Sequence, residues 1–283
     1  MNLLKKWYAV IGDPVHQSMS PTMHDAWFAE KELHASYIPI HVQQTRLKQT
    51  VESFRLLGCS GWNVTVPHKS AIMPFLDEID ASAQVMNAVN TVEVLADGSL
   101  RGSNTDGNGF VQSLEELFGR QGVGKEVLVI GAGGAARGIS YALHQAGYGP
   151  ITFTNRTIET AIALSADIPN STTLSMADAE ARLASFGLIV QTTSVGMNFA
   201  QAGIPLNPEN VARGTIVADI IYNPLETEFL KEAHKRGALT MNGIGMFVHQ
   251  GALSFEKWTE SKPNTEKMIK KITTTLGGSY VNR

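Results

Sequence analysis

The amino-acid sequence predicts an α/β fold with two domains, and three observations lead to this fold class. Apolar strands alternate with helical segments along most of the 283 residues, an order that predicts parallel strands joined by right-handed crossovers. The chain is long enough for two domains of ordinary size. Three glycines in Gly119–Lys125 interrupt the pattern and predict the joint to a second domain.

Composition limits the functions that the sequence can serve. The chain is 43% hydrophobic and 17% charged, as in a soluble globular protein with a full core. Its formal net charge is −3, and a nucleic-acid partner would call for a basic excess or a basic stripe instead. The single cysteine, Cys59, can form neither an internal disulfide nor a cysteine cluster for zinc. We therefore expect a reducing compartment, no nucleic-acid partner and no bound metal.

The N-terminal segment and the apolar runs predict a cytoplasmic protein without a membrane partner. Residues 1–12 contain two lysines but no long apolar core after them, which is unlike a signal peptide. No apolar run approaches the roughly 18 residues that a membrane-spanning helix needs.

Two serines precede the first predicted helix. A strand over Trp7–Ile11 leads into a polar loop, and Ser20 followed by Pro21 predicts the start of a helix that runs towards Leu33. Capping alone would explain Ser20. Ser18 has no capping role, and two hydroxyls at the positive end of a helix dipole would suit a small carboxylate. At this point capping and carboxylate binding are equally good interpretations.

Thr65 and Lys69 follow another predicted strand. The sequence predicts strands over Ser36–Val42 and Gly61–Val66, with a helix between them that ends at Gly58. Ligands of parallel α/β sheets bind beyond the carboxyl ends of the strands. Thr65 and Lys69 are therefore candidates for ligand binding, although a single lysine is more often a solvated surface charge.

A hairpin and an acidic residue come next. Asp97-Gly98 lies between two runs of strand-forming residues, Ala88–Val94 and Leu100–Gly102, and predicts a turn. Asp106 then precedes a helix predicted from about Phe110 to Phe118. Its carboxylate could simply cap that helix.

The stretch Val127–Arg137 predicts a dinucleotide-binding turn. Gly131, Gly133 and Ala136 have the spacing G-x-G-x-x-A after a buried strand. Gly131 permits a sharp turn, Gly133 leaves room for a pyrophosphate, and Ala136 lets the following helix approach the sheet. The N–H groups at the start of that helix would face the phosphates. An ordinary strand-to-helix turn is the weaker interpretation because the flanking context fits.

Asn155-Arg156-Thr157 ends the next predicted strand, Ile151–Thr154. Enzymes that use NAD carry an acidic residue at this place to hold the ribose 2′-hydroxyl. Arg156 would instead pair with a 2′-phosphate through charge-assisted hydrogen bonds, although an arginine after a strand is often only solvent-exposed. The sequence therefore predicts NADP as the cofactor.

The last third predicts more strands with polar ends. These strands are expected over Leu188–Thr193, Ile216–Ile220 and Ala238–Met241. Thr193–Met197 opens a loop that we expect to line the cofactor cleft. Tyr222 follows a strand and Gln250 lies one turn into a helix. Neither decides a function alone, since packing or solvation would also explain them.

Eight motifs in order carry a resemblance to a known family. They are Ser18–Pro21, Asn63–Lys69, Ala88–Thr91, Asn104–Gly107, Gly131–Arg137, Asn155–Thr157, Thr193–Met197 and Asn242–Met246 with Gln250. Together they span essentially the whole length. On these motifs the chain resembles the shikimate/quinate dehydrogenase family, in particular its NADP-dependent shikimate dehydrogenases.

The resemblance implies a role for each matching residue. Lys69 would be the general acid/base, oriented by Asp106, and a developing alkoxide indeed needs the positive charge or the proton that a lysine offers. The substrate would be held by Ser18, Ser20, Thr65, Asn90, Tyr222 and Gln250. NADP would be held by Gly131, Ala132, Gly133, Gly134, Ala135, Asn155, Arg156, Thr157, Ile220 and Gly243.

The resemblance also implies a reaction and a domain plan. The reaction is the reversible reduction of 3-dehydroshikimate to shikimate in chorismate and aromatic amino-acid biosynthesis. Residues 1–106 would form the substrate-binding domain, residues 107–240 a Rossmann-type NADP-binding domain, and residues 241–283 helices that return to the substrate domain. A monomer and a homodimer are equally compatible with it.

The sequence departs from the family pattern at two places, and three alternative functions stay open. Glu159 and Thr160 occupy a region where the family often has a second basic residue, which weakens the NADP preference. Gln191 stands where the family commonly has asparagine, and we expect it to be tolerated. The alternatives are an NAD-preferring quinate/shikimate dehydrogenase, a catalytically silent NADP-binding regulator and a folate-linked dehydrogenase with a similar two-domain plan.

Overall fold

The computed structural model describes residues 5–16, 18–197 and 202–277, and it divides into two compact units. The first unit takes the residues up to Thr105 together with Gln250–Met268. The second takes Asp106–His249 and the residues from Ile269 onward. The folding domains predicted from the sequence, with boundaries after residues 106 and 240, stay predictions.

The first unit is built on one six-stranded sheet. Its strands are β1 (Lys6–Gly12), β2 (Ala35–His41), β3 (Gly61–Val64), β4 (Glu78–Ile79), β5 (Thr91–Val94) and β6 (Leu100–Ser103). The helices between them are α1 (Ser20–Glu30), α2 (Leu47–Leu56), α3 (His68–Ala71) and α4 (Ala81–Met86).

The order of this sheet is β2-β1-β3-β5-β6-β4. The first three strands are parallel, as the alternation of strands and helices predicts. The β5–β6 pair is antiparallel, which confirms the hairpin predicted around Asp97-Gly98. The same antiparallel strand β5 also pairs with β3, so the sheet is mixed.

Several short elements of this unit differ from the sequence prediction. Helix α1 begins at Ser20 and its N-cap is Met19, so the prediction that Ser20 caps the helix is wrong. The helix also ends at Glu30 rather than near Leu33, and Glu32 follows in the left-handed region with φ 54°. Helices α3 and α4 and strand β4 were not predicted, because elements of two to six residues carry too little periodicity to be read.

The core of the first unit comes from the central strands and from a helix near the end of the chain. Ile11, Trp62 and Val92 are fully buried in one apolar cluster. The chain returns with helix α10 (Ile244–Thr259), whose later part belongs to this unit. There the Trp258 ring stacks on Tyr8 at 5.1 Å, and the Trp258 indole N–H donates to the Val92 carbonyl at 3.0 Å.

The second unit carries a parallel sheet with helices along the chain between its strands. Its strands are β7 (Val127–Ile130), β8 (Ile151–Thr154), β9 (Ser171–Thr173), β10 (Leu188–Gln191), β11 (Ile216–Asp219) and β12 (Leu239–Met241). Its helices are α5 (Asp106–Phe118), α6 (Gly134–Gln145), α7 (Ile158–Asp167), α8 (Met176–Ala181) and α9 (Glu228–Lys235). Helix α11 (Thr265–Thr275) begins with residues of the first unit and ends with residues of the second.

The strand order in this sheet is β12-β11-β10-β7-β8-β9. All of the pairs are parallel. The order reverses at β7, where the glycine turn follows, and such a switch point is where doubly wound sheets bind ligands. This arrangement confirms the Rossmann-type α/β prediction. Strand β9 was missed, and β10 and β11 end earlier than predicted because their last side chains bind the loops that follow.

Candidate active site

Several predicted substrate residues leave the sheet of the first unit at the same end. Strands β1 and β3 are parallel, with Ile11 beside Val64, so their carboxyl ends lie together. Strand β5 runs antiparallel to β3, with Asn63 beside Thr91, so it begins at that same end. The segments that carry the predicted residues therefore start from one place; the residues are Ser18, Ser20, Thr65, Lys69 and Asn90.

The backbone around Lys69 is fixed by hydrogen bonds to neighbouring segments. The Lys69 carbonyl accepts the Val89 N–H at 2.8 Å, and the Thr65 N–H donates to the Ile11 carbonyl at 2.9 Å. The buried His68 ring nitrogen Nε2 lies 2.6 Å from the Val42 carbonyl oxygen. Lys69 itself is half-buried on the short helix α3. Its backbone is therefore positioned directly beside the segment that carries Asn90.

The two serines at the start of α1 differ in their roles. The Ser18 hydroxyl oxygen accepts the Ser20 N–H at 3.2 Å, so Ser18 binds the first N–H of the helix. Ser18 is half-buried and Ser20 is 8% exposed. The Ser18 hydroxyl can still donate its proton while it accepts this bond. Two hydroxyls thus lie at a helix N-terminus, where the dipole favours an anion.

Asn90 and Gln250 are joined by hydrogen bonds. Asn90 is 3% exposed, and its Nδ2 donates to the Thr105 hydroxyl at 2.9 Å and to Gln250 Oε1 at 3.4 Å. Asn90 Oδ1 accepts the Thr105 N–H at 3.0 Å. The Thr105 hydroxyl also donates to the Gln250 carbonyl at 2.9 Å. The half-buried Gln250 side chain is therefore held beside Asn90 in the first unit.

A buried polar network that was not predicted from the sequence supports these two amides. The Tyr37 hydroxyl donates to Asn63 Oδ1 at 2.6 Å, which turns Asn63 Nδ2 towards the Asn90 carbonyl at 3.0 Å and the Ser254 hydroxyl at 3.0 Å. Burial raises the pKa of Tyr37 well above its ordinary value, so this donor keeps its proton. The signal that could have found the network is Asn63 itself, a polar residue inside an apolar strand.

Asp106 begins the second unit and is the first residue of α5. A carboxylate in the first turn of a helix is favoured by the dipole, although Asp106 is the first residue of the helix and does not occupy the N-cap position before it. Asp106 also follows Thr105 directly in the chain, and Thr105 is bound through its N–H to Asn90. The backbone that leads to Asp106 is therefore anchored.

The glycine turn of the second unit borders a cavity of about 630 Å³. The cavity is lined by Ile130, Gly131, Asn155, Arg156, Thr157, Met176, Thr193, Ser194, Val195, Ala202, Ile204 and Pro205. Gly131 has φ 111°, a backbone conformation that side chains disfavour, and a Cβ there would crowd the Thr192 hydroxyl. All three residues of the predicted arginine motif and the first glycine of the turn thus share one cavity.

The start of α6 fits the phosphates of a dinucleotide. A Cβ built on Gly133 or Gly134 would meet no atom of the described residues within 4 Å, so space lies open above this turn. The N-cap of α6 is Gly133, and among the described residues no side chain caps the helix. Ala132 and Ala135 are half-exposed beside the two glycines. The N–H groups at the start of α6 can therefore bind an anion.

Arg156 is exposed in the wall of this cavity, and within the described part of the chain no acidic side chain pairs with it. Its neighbour Asn155 is held in place, since Asn155 Nδ2 donates to the Thr157 carbonyl at 2.9 Å and to the Thr160 hydroxyl at 2.6 Å. Arg137, at the end of the glycine motif, binds Asp167 at 2.5 Å instead. Among the described residues that line this cavity, Arg156 is the one with a cationic side chain.

Three further predicted residues lie together in the second unit. A Cβ on Gly243 would overlap the Ile220 carbonyl, so only glycine fits there, and the Gly243 N–H donates to the Ile221 carbonyl at 2.9 Å. Tyr222 stacks on Phe247 with ring centroids 5.1 Å apart, and burial raises the pKa of the Tyr222 hydroxyl. The loop after β11 is thus fixed against the start of α10.

Comparisons with known proteins agree along the chain. Residues 10–92 match the model of the shikimate dehydrogenase substrate-binding domain, residues 114–212 that of shikimate/quinate 5-dehydrogenase, and residues 243–273 that of the shikimate 5′-dehydrogenase C-terminal domain. The NADP(+)-dependent shikimate dehydrogenase of Lysinibacillus sphaericus is 51% identical over 98% of this chain and 100% of its own length. The chain belongs to the shikimate dehydrogenase family.

Solved structures of this family have the same fold. A shikimate dehydrogenase crystallised with NADP+ has a TM-score of 0.90 and 38% identity, covering 98% of this chain and 97% of its own. The enzyme of Thermus thermophilus, in complex with NADP(H) and shikimate, has a TM-score of 0.85 and 32% identity, covering 96% and 99%. The family resemblance and the fold predicted from the sequence are therefore confirmed.

The described part of the chain has neither a candidate membrane-spanning helix nor a candidate metal site. Within residues 5–16, 18–197 and 202–277 no helix combines the length and the apolar character that crossing a membrane requires. The same ranges contain no group of three or more His, Cys, Asp or Glu side chains that could hold a metal ion.

Proposed function

We propose that this protein catalyses the reversible NADP-dependent reduction of 3-dehydroshikimate to shikimate, a step of aromatic amino-acid biosynthesis. Membership of the shikimate dehydrogenase family supports the reaction. One observation carries the proposal. The segments that leave one end of the first unit's sheet carry two hydroxyls at a helix N-terminus, one lysine and the amide of Asn90, which is bonded to the amide of Gln250. Such a set suits a small carboxylate that carries ring hydroxyls.

NADP fits the cavity of the second unit. When bound as NADPH, the cofactor would supply the hydride that reduces the carbonyl carbon of the substrate and would become NADP+. Gly133, Gly134 and the start of α6 would hold its pyrophosphate, and Arg156 its 2′-phosphate. Ile220 and Gly243 would lie against the nicotinamide. Asn155 and Thr157 line the same cavity and would complete the site.

Lys69 supplies the proton in this proposal. As hydride reaches the carbonyl carbon, negative charge develops on the substrate oxygen, and the Lys69 ammonium stabilises it and then donates a proton. In the oxidative direction the neutral amine takes that proton back. Asp106 would orient the Lys69 ammonium towards the substrate oxygen.

Binding of the substrate would fall to hydroxyl and amide groups. Ser18 and Ser20 would hold the carboxylate, with Tyr222 close to it. Thr65, Asn90 and Gln250 would bind the ring hydroxyls. Because Asn90 and Gln250 are already held by hydrogen bonds, little conformational freedom would be lost when substrate binds.

The family description also names quinate, so the first alternative is an NAD-preferring quinate/shikimate dehydrogenase. Initial rates with shikimate and with quinate, each measured with NADP+ and with NAD+, test the proposal. We expect kcat/KM to be highest for shikimate with NADP+. A preference for NAD+ would favour the first alternative, and turnover with no combination would favour a silent NADP-binding regulator. We further propose a cytoplasmic enzyme that is a monomer or a homodimer.

A further inference from the structure

Strands β10 and β11 end in two polar side chains that are fully buried. Gln191 and Asp219 are the last residues of their strands, they lie in register with each other, and each is 0% exposed. A buried amide or carboxylate is costly unless its polar atoms are hydrogen-bonded. The partners of each side chain therefore indicate what it does.

Both the nitrogen and the oxygen of the Gln191 side-chain amide make hydrogen bonds to one short loop. Its Nε2 donates to the Thr193 carbonyl at 3.1 Å and to the Val195 carbonyl at 3.1 Å. Its Oε1 accepts the Thr193 N–H at 2.8 Å. These three bonds use both N–H groups of the amide and leave the loop with a defined path from Thr193 to Val195.

That loop is one wall of the proposed NADP cavity. Thr193, Ser194 and Val195 line the cavity together with Gly131 and Arg156. Gln191 has no exposed surface, so in this arrangement it contacts a ligand only through the loop. Its role is to position the loop rather than to bind the cofactor directly.

Asp219 holds the neighbouring loop. Asp219 Oδ1 accepts the Ile221 N–H at 3.0 Å, and Oδ2 accepts the Thr227 hydroxyl at 2.8 Å. Its partners thus lie in the segment that carries Ile220 and Tyr222. Adjacent strands therefore use one buried side chain each to fix two different loops.

We propose that Gln191 is a positioning residue for NADP, acting through the Thr193–Val195 loop. This inference rests on the proposed function. Asparagine at this position is one methylene shorter, so it cannot reach both carbonyl groups unless the loop moves. Leucine keeps most of the volume and removes all three hydrogen bonds.

The test measures cofactor binding apart from turnover. NADP+ is titrated by calorimetry into the wild-type protein and into the Gln191→Leu and Gln191→Asn variants, and the KM for shikimate is measured in parallel. We expect the Kd of NADP+ to rise about five- to thirtyfold in Gln191→Leu, the effect of losing one or two net hydrogen bonds that order the loop, and less in Gln191→Asn. The KM for shikimate should change less than about twofold.

Ile189→Val is the matched control. Ile189 lies on the same strand and is 0% exposed, so shortening it lowers stability without removing a bond to the loop. The control should leave the Kd of NADP+ unchanged. Hydrogen exchange of the Thr193 amide should become faster in the Gln191 variants alone. If Gln191→Leu does not fold, Gln191→Asn and its Thr193 exchange rate decide the question.

An unchanged Kd in the Gln191 variants, or an equal rise in the Ile189→Val control, would overturn the proposal. Because NADP+ binding is measured without substrate, the result does not depend on shikimate turnover. Loss of the proposed function, seen as no turnover in the wild type, would therefore be distinguishable from failure of the positioning role.

Discussion

The polar groups that we propose to bind ligands differ between the two units. In the first unit, Asn63 and Asn90 are buried and bonded on both ends of their amides. In the second unit, Gly133 and Gly134 face open space, and Arg156 is exposed with no acidic partner among the described residues. The first arrangement fixes the direction of donors and acceptors before a ligand arrives. In the second unit, the positive charge of Arg156 and the positive end of the α6 dipole have no acidic partner among the described residues, so they attract phosphate groups.

The largest expected effect is a loss of turnover, and it comes from substituting a residue of the first unit. Lys69→Ala should lower kcat about a thousandfold, because it removes the general acid/base, while the KM for shikimate stays nearly unchanged. Steady-state kinetics with shikimate and NADP+ measure both constants. Lys48→Ala is the control, since Lys48 is a surface residue whose side chain is 71% exposed. Near-normal turnover in Lys69→Ala would rule out its role as acid/base.

The next prediction concerns the pH dependence of stability. Burial raises the pKa of Asp219 from 3.8 to about 6. The folded state therefore binds more protons than the unfolded state between these values, and stability falls as pH rises through this window. The full shift corresponds to about 3 kcal/mol at most.

Asp219→Asn should remove this dependence, because asparagine does not titrate. Thermal unfolding at pH 4.5, 6 and 7.5 measures it, and we expect the variant to gain stability relative to the wild type as pH rises. A constant difference across the three values would contradict the raised pKa.

A third prediction tests Arg156, the exposed cation that borders the cavity of the second unit. Arg156→Ala should raise the KM for NADP+ by about ten- to a hundredfold, the effect of losing a charge-assisted hydrogen bond to a phosphate, and should change the KM for NAD+ little. Arg137→Ala is the matched control, because Arg137 is already paired with Asp167. Equal losses with both cofactors would show that Arg156 does not meet the 2′-phosphate.

The sequence predicts those parts of the fold in which local pattern and final contacts agree. Ile151–Thr154 is a strand at the predicted residues, because Pro150 and Asn155 flank a run of β-branched and aromatic residues. The strand predicted to end at Thr193 ends at Gln191 instead. The Gln191 side chain bends the chain there, and periodicity does not record a side chain that binds its own loop.

The same limit applies to the candidate site. The rule that ligands bind beyond strand ends places Thr65 and Lys69 correctly at one end of the sheet, since it needs only the order of the strands. The Asn63–Ser254 hydrogen bond joins residues 191 positions apart, and no local pattern in the sequence specifies it. Candidate ligand-binding residues were therefore easier to predict from the sequence than the residues that hold them in place.

The smallest effect is expected at Ser18, whose role at the start of α1 differs from the sequence prediction. The sequence assigned the cap of α1 to Ser20, yet the Ser18 hydroxyl accepts the Ser20 N–H. Ser18→Ala should raise the KM for shikimate about fivefold and leave kcat nearly unchanged, because a carboxylate contact far from the reacting carbon is equal in the ground and transition states. Ser53→Ala, which removes a hydroxyl that donates to the Gln49 carbonyl of its own helix, is the control for steady-state kinetics. A loss confined to kcat would place Ser18 near the reacting oxygen instead, and the fixed polar groups of the first unit would then serve chemistry as well as binding.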